Sequence, residues 1–281
     1  MLLTYDQQQF NKFVHFYKLE PALRYYHLWT NTLYAKHGYH SAQHTYSVLW
    51  ALFCHFKNNQ VLILQERPAL HVTQSLTYET QRLICIAAIF HDFNYSYVSG
   101  SVDDYDDYNI VLARMGLAHF MQSYKEDLDH FSLVEGLIAS TTYPDVSVDE
   151  LFELNGDFAQ NASSNPNFII AGKLLRDADR SMPMVCNYLG LQFALYTVEH
   201  KAATKEQVLE MIANTEKYLA TLKFDDKWFA MQWEEHNNSG YVNTRLQNLK
   251  AYFESIDETY FPSQSALVSL LRIPQYLLLL N

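Results

Sequence analysis

The fold is decided by one apolar run that ends on two ionisable residues, Ile84-Cys85-Ile86-Ala87-Ala88-Ile89-Phe90-His91-Asp92-Phe93-Asn94-Tyr95. A run of this length and character is expected in the protein interior, where an ionisable group is costly unless it is paired or bound to a metal. Histidine is the commonest metal ligand, and carboxylates suit hard divalent cations. His44 and Asp179 are candidate partners for His91 and Asp92, because two neutral imidazoles and two carboxylates would balance one divalent ion.

The composition indicates a helical protein of the cytoplasm. The chain has 281 residues, of which 49% are hydrophobic, and its 8 glycines and 7 prolines are too few for a β-sandwich with many tight turns. The net charge of −11 disfavours a nucleic-acid polymer as partner, whereas a small anionic substrate can bind if a metal supplies local positive charge. We expect no secretory signal and no transmembrane segment. Free thiols in a reducing compartment are predicted for Cys54, Cys85 and Cys186.

Hydrophobic positions recur at helical spacing along most of the chain, and no run alternates convincingly as a strand would. Pro21 stands where a second helix would begin, and Ser41 is a candidate N-cap. Site candidates lie on both sides of the polar loop predicted over 155–167, so we predict one all-α domain over residues 1–281. The predicted helical segments are 6–35 (two helices), 41–57, 78–93, 105–123, 127–140, 168–200, 204–222 and 244–258.

Two histidines stand at i and i+4 in the sequence Tyr39-His40-Ser41-Ala42-Gln43-His44. On a helix, residues at this spacing share a face. They can therefore supply two ligands of one metal, or one ligand and one proton carrier. Asp177 would point about 200° away from Asp179 on the same helix, so we expect it to lie behind the site or on the surface.

The order His … His-Asp … Asp resembles the HD superfamily of metal-dependent phosphohydrolases. Three local blocks are similar to motifs of the cyclic-nucleotide phosphodiesterases, with Ser41 in place of an asparagine and Thr142 in place of an aspartate. The blocks are Tyr39-His40-Ser41-Ala42-Gln43-His44, Ile138-Ala139-Ser140-Thr141-Thr142 and Ala178-Asp179-Arg180-Ser181-Met182-Pro183. The resemblance covers residues 36–185. It implies an HD-domain-like helical bundle around a metal site, followed by a helical C-terminal extension over residues 186–281.

The resemblance also implies roles for individual residues. His40 matches the histidine that protonates the leaving oxygen, Asp92 would hold both metal and nucleophilic water, and Asp106 would help to position that water. The expected activity is metal-dependent hydrolysis of a small phosphoester, with a nucleotide or cyclic nucleotide as the preferred substrate class. The metal is a divalent ion, with Mg, Mn, Zn, Fe, Co and Ni all left open. The implied metal ligands are His44, His91, Asp92 and Asp179.

Two alternatives stay open. A catalytically altered HD-fold protein would keep the fold and bind a nucleotide or a protein partner, and the changes at Ser41 and Thr142 favour it. An HD-type iron oxygenase would need further histidines in matching motifs, and only His119 and His130 lie between the His-Asp pair and Asp179. Four cationic side chains could contact a substrate phosphate or could be solvated surface charges: Lys36, Lys173, Arg176 and Arg180. For recognition of a purine base, the candidates are Gln192 and Gln232, and no motif supports either.

Overall fold

The computed structural model describes residues 5–33, 39–64, 76–93, 102–124, 130–142, 147–150, 167–185, 188–199, 201–202, 204–263 and 265–267. Every regular element in these ranges is helical, and no strand occurs in them. The predicted all-α fold is therefore confirmed for this part of the chain. None of the helices in these ranges combines the length and the hydropathy that a membrane crossing requires. The extent of the domain, residues 1–281, stays a prediction.

The helices follow one another along the chain with short connections in the N-terminal part. Pro21 occupies the first turn of the second helix, as predicted, where its missing N–H has no intrahelical partner to lose. The helices are α1 (Gln7–Phe16), α2 (Glu20–Leu33), α3 (Ala42–Leu64), α4 (Tyr78–Phe90), α5 (Val102–Tyr124), α6 (Phe131–Thr142), α7 (Asn167–Arg180), α8 (Met182–Val185), α9 (Tyr188–Ala194), a π-helical turn (Leu195–Glu199), α10 (Lys205–Thr221), α11 (Lys227–Asn238), α12 (Tyr241–Ser255) and a 3-10 turn (Glu258–Tyr260).

Helix α4 is enclosed by its neighbours. Thr77 caps its start, because the Thr77 hydroxyl accepts a hydrogen bond from the backbone N–H of Thr80 at 3.1 Å. All residues of Leu83–Phe90 are buried, and α4 packs against α2, α3, α5, α6 and α7. A helix that is apolar on every side has to be surrounded in this way. The polar end of the run, His91 and Asp92, consequently faces other helices.

Gly116 lets α5 approach the end of α4 closely. A Cβ atom at this position would lie 2.3 Å from Cδ1 of Phe93. The Phe93 ring is buried and stacks on Tyr25, with ring centres 5.8 Å apart and planes at 22°. Only a residue without a side chain leaves room for this ring, which directly follows Asp92 in the chain.

The predicted helical segment over residues 168–200 is helical where the structure describes it, but it is divided into several elements. Helix α7 ends at Arg180, and α8, α9 and the π-helical turn follow as separate elements. The hydroxyl of Ser181 donates to the carbonyl of Ala178 at 2.6 Å. Pro183 lacks the N–H that would bond to the Asp179 carbonyl in a continuous helix. The chain therefore turns immediately after Asp179.

Residues 223–243, for which the sequence predicts no helix, contain α11. Asp226 caps its start, since Oδ1 of Asp226 accepts hydrogen bonds from the N–H groups of Trp228 at 2.9 Å and Phe229 at 3.2 Å. An aspartate before two aromatic residues is a helix-start signal that apolar periodicity alone does not reveal. Helix α11 packs against both α8 and α12. It therefore links the C-terminal helix α12 to α8, the short helix that follows Asp179 in the chain.

The described cysteines are free thiols, as predicted. Cys85 is buried in α4 and Cys54 is half-buried in α3. Burial raises the pKa of both, to about 12 for Cys54. Both are therefore protonated at neutral pH and poorly reactive. Cys186 lies outside the described residues.

Candidate metal centre

Three helices bring the four predicted ligands together. His44 lies in the first turn of α3, His91 and Asp92 follow the last residue of α4, and Asp179 lies in the last turn of α7. His44 is 1% exposed and His91 6% exposed, whereas the carboxylates of Asp92 and Asp179 keep 16% and 24% of their side-chain surface. The cluster is therefore buried on the imidazole side and open on the carboxylate side.

His44, His91 and Asp92 present their donor atoms at the corners of a nearly equilateral triangle. Nε2 of His44 lies 3.2 Å from Nε2 of His91, and each of these nitrogens lies 3.1 Å from Oδ2 of Asp92. Oδ1 of Asp179 lies 3.1 Å from Nε2 of His44 and 3.6 Å from Nε2 of His91. Within the described residues, the triangle is a group that could hold a metal ion.

These separations match those of ligands around a common ion. Donors about 2.0–2.3 Å from a metal, at angles of about 90–110°, stand about 2.8–3.8 Å from one another. All five separations given above fall in this interval. A proton or a metal ion between the two imidazole nitrogens removes the repulsion of their lone pairs, so the geometry suits a shared cation.

The hydrogen bond on the far side of His91 sets the tautomer that metal binding needs. Nδ1 of His91 lies 2.9 Å from the carbonyl oxygen of Ala88 and donates to it. In the neutral ring, Nε2 then carries the lone pair that faces the cluster. Nδ1 of His44 is buried and has no hydrogen-bond partner among the described residues.

The electrostatics of the cluster favour a positive charge at its centre. Burial by itself lowers the pKa of both histidines, but the hydrogen bonds and charges of Asp92 and Asp179 outweigh it, so the pKa of His44 is raised and that of His91 is raised well above 6.5. Burial would raise the pKa of each carboxyl, but the two histidines outweigh it and hold both carboxyl pKa values below 3.8. The carboxylates therefore stay ionised and attract cations.

His40 lies beside the cluster. Its ring centre is 6.2 Å from that of His44 at an angle of 83°, and the Tyr39 ring contacts both, at 5.0 Å and 4.7 Å. A positive charge on His40 also lowers the pKa of Asp92. His40 is half-buried, so it is placed next to the site and within reach of solvent. Ser41 directly precedes α3, and its hydroxyl donates to the Tyr39 carbonyl at 3.4 Å.

Several predicted positions lie elsewhere or outside the described residues. Nζ of Lys173 pairs with Asp149 at 2.6 Å, and Nε of buried Arg176 donates to the Ser140 carbonyl at 2.5 Å. His119 Nδ1 lies 2.7 Å from the Tyr25 hydroxyl, and His130 lies 3.7 Å from Glu79. Lys36 lies outside the described residues, as do the side chains of Asp106 and Thr142, whose backbones belong to α5 and α6.

A buried polar network behind the cluster was not predicted. Asp177 is fully buried, and its Oδ2 accepts a hydrogen bond from the backbone N–H of Asp226 at 2.6 Å. Oδ1 of Asp226 lies 3.2 Å from Nε2 of His55, whose ring stacks on Phe229 with planes at 9°. Burial raises the pKa of Asp177 to about 8. The one signal in the sequence was the position of Asp177, which on a helix points away from Asp179 and hence toward whatever packs behind it.

Comparison of the chain with protein-family models, with curated proteins and with solved structures gives no match.

Proposed function

We propose that the protein is a metal-dependent phosphohydrolase on an HD-domain-like helical fold and that it cleaves a small phosphoester, with a nucleotide or cyclic nucleotide as the first class to test. One observation supports this above all others. Nε2 of His44, Nε2 of His91 and Oδ2 of Asp92 lie 3.1–3.2 Å from one another, and Oδ1 of Asp179 lies 3.1 Å and 3.6 Å from the two nitrogens. The four residues follow the chain order His … His-Asp … Asp.

The donor set fits a divalent cation. Two imidazoles and two ionised carboxylates neutralise a dipositive charge, and both nitrogen and oxygen donors suit Zn, Fe, Mn, Co or Ni, with Mg served by the carboxylates. A divalent ion held there supplies two effects when bound: it lowers the pKa of a bound water toward about 7 and polarises the phosphoryl group. The exposed carboxylate side of the cluster is the side from which a substrate would enter.

The remaining residues have defined tasks in this proposal. Asp92 would bind both the metal and the nucleophilic water, since its carboxylate is the more exposed partner of the His91-Asp92 pair. His40 lies in the bend that precedes α3, with its ring centre 6.2 Å from that of His44, and would give a proton to the departing oxygen. The Nδ1 hydrogen bond of His91 to Ala88 keeps its ring oriented.

The charge of the chain limits the substrate. A net charge of −11 repels a phosphate polymer, because such polymers are bound mainly through many Lys and Arg contacts. One phosphate group can be accepted where a dipositive ion outweighs the local carboxylates. The substrate is therefore expected to carry few phosphates.

The test combines metal analysis with a phosphate-release screen. Purified protein is stripped with a chelator, reloaded with each divalent ion in turn, and assayed on nucleoside monophosphates, cyclic nucleotides and aryl phosphates. We expect one ion per chain and metal-dependent release from at least one class. Asp92→Asn should abolish release, whereas Asp149→Asn, an exposed acid paired with Lys173, should not. Metal binding without any hydrolysis would contradict the enzyme and favour a binding protein; absence of metal binding would contradict the site itself.

A further inference from the structure

A cavity of about 590 Å³ lies between α1, the start of α2, α3 and the end of α8. This volume is within the range of about 300–1,000 Å³ that small-molecule sites occupy. Every side chain that lines the cavity is uncharged, and none of the four residues of the metal cluster lines it. The cavity is therefore a separate site with its own chemistry.

Helix α3 separates the two sites. Gln43, Ser47 and Trp50 line the cavity and follow one another at i, i+4 and i+7, on one face of α3. His44 is the direct neighbour of Gln43, but consecutive residues on a helix point about 100° apart. The metal cluster and the cavity thus lie on adjoining faces of the same helix.

One wall of the cavity is a fixed set of aromatic rings. The Phe10 ring lies 5.4 Å from that of Tyr46 at 73° and 6.3 Å from that of Trp50. The Tyr5 ring covers Trp50 at 5.0 Å. Phe10 and Trp50 are 2% and 3% exposed and support the wall from behind, whereas Tyr5 is 44% exposed and Tyr46 is half-buried, so these two rings present the accessible surface. A rigid aromatic wall favours a planar ligand, because stacking on it orders few additional side chains.

The polar rim of the cavity consists of side-chain amides. Oδ1 of Asn11 accepts a hydrogen bond from Nε2 of Gln7 at 2.9 Å, so the N–H groups of the Asn11 amide are the ones it can offer to a ligand. The side-chain amide of Gln43 has no hydrogen-bond partner among the described residues. A carboxamide offers a donor and an acceptor in one plane, and such groups pair with the donor–acceptor edge of a heterocycle, as Asn and Gln do with adenine.

We propose that this cavity binds a small, uncharged, planar nitrogen heterocycle with a hydrogen-bond donor next to an acceptor. Gln43 and Asn11 contact its polar edge, and the accessible rings of Tyr5 and Tyr46 contact its ring. An anionic ligand does not fit, because no cationic side chain lines the cavity and the chain as a whole is acidic. The site is independent of the proposed hydrolysis.

The experiment titrates the full-length protein with adenine and follows the tryptophan fluorescence and the heat of binding. We expect saturable binding of one adenine per chain, and weaker binding of indole, which has a similar shape but no acceptor. Gln43→Leu should weaken adenine binding at least tenfold, and Asn11→Leu, on another helix, should weaken it as well. Gln8→Leu, an exposed position of α1 outside the lining, should leave it unchanged.

A variant of the candidate metal site tests whether the cavity and that site bind different ligands. Asp92→Asn should bind adenine as the wild type does, because Asp92 does not line the cavity. Loss of adenine binding in Asp92→Asn would place the heterocycle at the metal cluster and overturn the proposal. No binding of adenine, or equal affinity in the wild type and in a folded Gln43→Leu or Asn11→Leu variant, would overturn it too. A thermal melt of each variant confirms that it is folded.

Discussion

The side-chain carboxyl group of Asp177 accepts a hydrogen bond from the backbone N–H of Asp226 at 2.6 Å, across 49 residues of sequence. This bond joins α7, the helix that carries Asp179, to the first turn of α11. Asp226 in turn lies 3.2 Å from His55 of α3, the helix that carries His44. Asp226, the residue that caps α11, therefore contacts both α3 and α7, two of the three helices that supply the candidate metal ligands.

The contacts of the buried Asp226 carboxylate should make stability depend on acidity. Burial by itself raises the pKa of Asp226, but the His55 contact and two backbone hydrogen bonds outweigh it and hold the pKa below 3.8. A carboxyl whose pKa is lower in the folded than in the unfolded chain stabilises the fold above the unfolded pKa, and this stabilisation is lost as the pH falls through the folded pKa.

Asp226→Asn should therefore lower the free energy of unfolding by about 1–3 kcal/mol at pH 7, while asparagine still caps α11. The difference from the wild type should be constant above pH 5 and shrink below pH 4. Urea unfolding at a series of pH values measures it, with Asp149→Asn as an exposed control. A difference that does not change between pH 7 and pH 3 would show that the charge of Asp226 contributes nothing.

His91→Ala should remove the metal without unfolding the protein. Loss of an orienting partner of a metal ligand typically costs about 10–100-fold in affinity, so loss of the ligand itself should cost more than about 100-fold. Metal content after dialysis against a defined free-metal buffer is the measurement. His119→Ala, which removes an exposed histidine bonded to Tyr25, should keep one ion per chain. Equal metal content in both variants would exclude His91 as a ligand.

His40→Ala should lower turnover far more than metal content, because general acid–base groups contribute about 10²–10⁴-fold. Aryl phosphates with good leaving groups need little protonation, so their hydrolysis should be largely preserved. The measurements are metal content, melting temperature and rates on two leaving groups. A fall in metal content would identify His40 as a ligand instead. Equal slowing on both leaving groups, at full metal content, would exclude the proton-donor role.

Gly116→Ala should destabilise the protein although alanine is the better helix former. The new Cβ atom would lie 2.3 Å from the Phe93 ring, and overpacking of this kind costs about 1–3 kcal/mol. In the double variant with Phe93→Leu the clash is removed, so the two losses should not add. Thermal or chemical unfolding of the four proteins of this cycle checks it. Additive losses would mean that the two side chains do not compete for the same space.

The sequence predicts that His44, His91, Asp92 and Asp179 lie close together, but it does not predict the residues that pack behind them. His91 and Asp92 are conspicuous because they end an apolar run, and a buried charge at such a place requires a partner. Asp177 and Asp226 carry no comparable signal, since the contact between them is made by a backbone N–H, which every residue except proline has. The apolar pattern also does not reveal the end of α7 at Arg180. This pattern continues across Ser181 and Pro183, whereas the regular backbone hydrogen bonds of the helix stop there. The extent of helices and the long-range polar contacts depend on tertiary packing, which periodicity does not encode.

Helices α4 and α7 both end at the cluster. The aligned peptide dipoles of a helix place about half a negative elementary charge at its C-terminus and half a positive charge at its N-terminus. The backbone ends of α4 and α7 therefore add about one negative charge in total to the position between His91, Asp92 and Asp179, while α3 begins there with its positive end at His44. The main chain alone thus polarises the site, drawing a cation toward α4 and α7 and an anionic group toward the first turn of α3. Substitution of side chains does not remove this contribution, which is typically about 0.3–1 kcal/mol per helix end, so a variant that lacks one carboxylate keeps it.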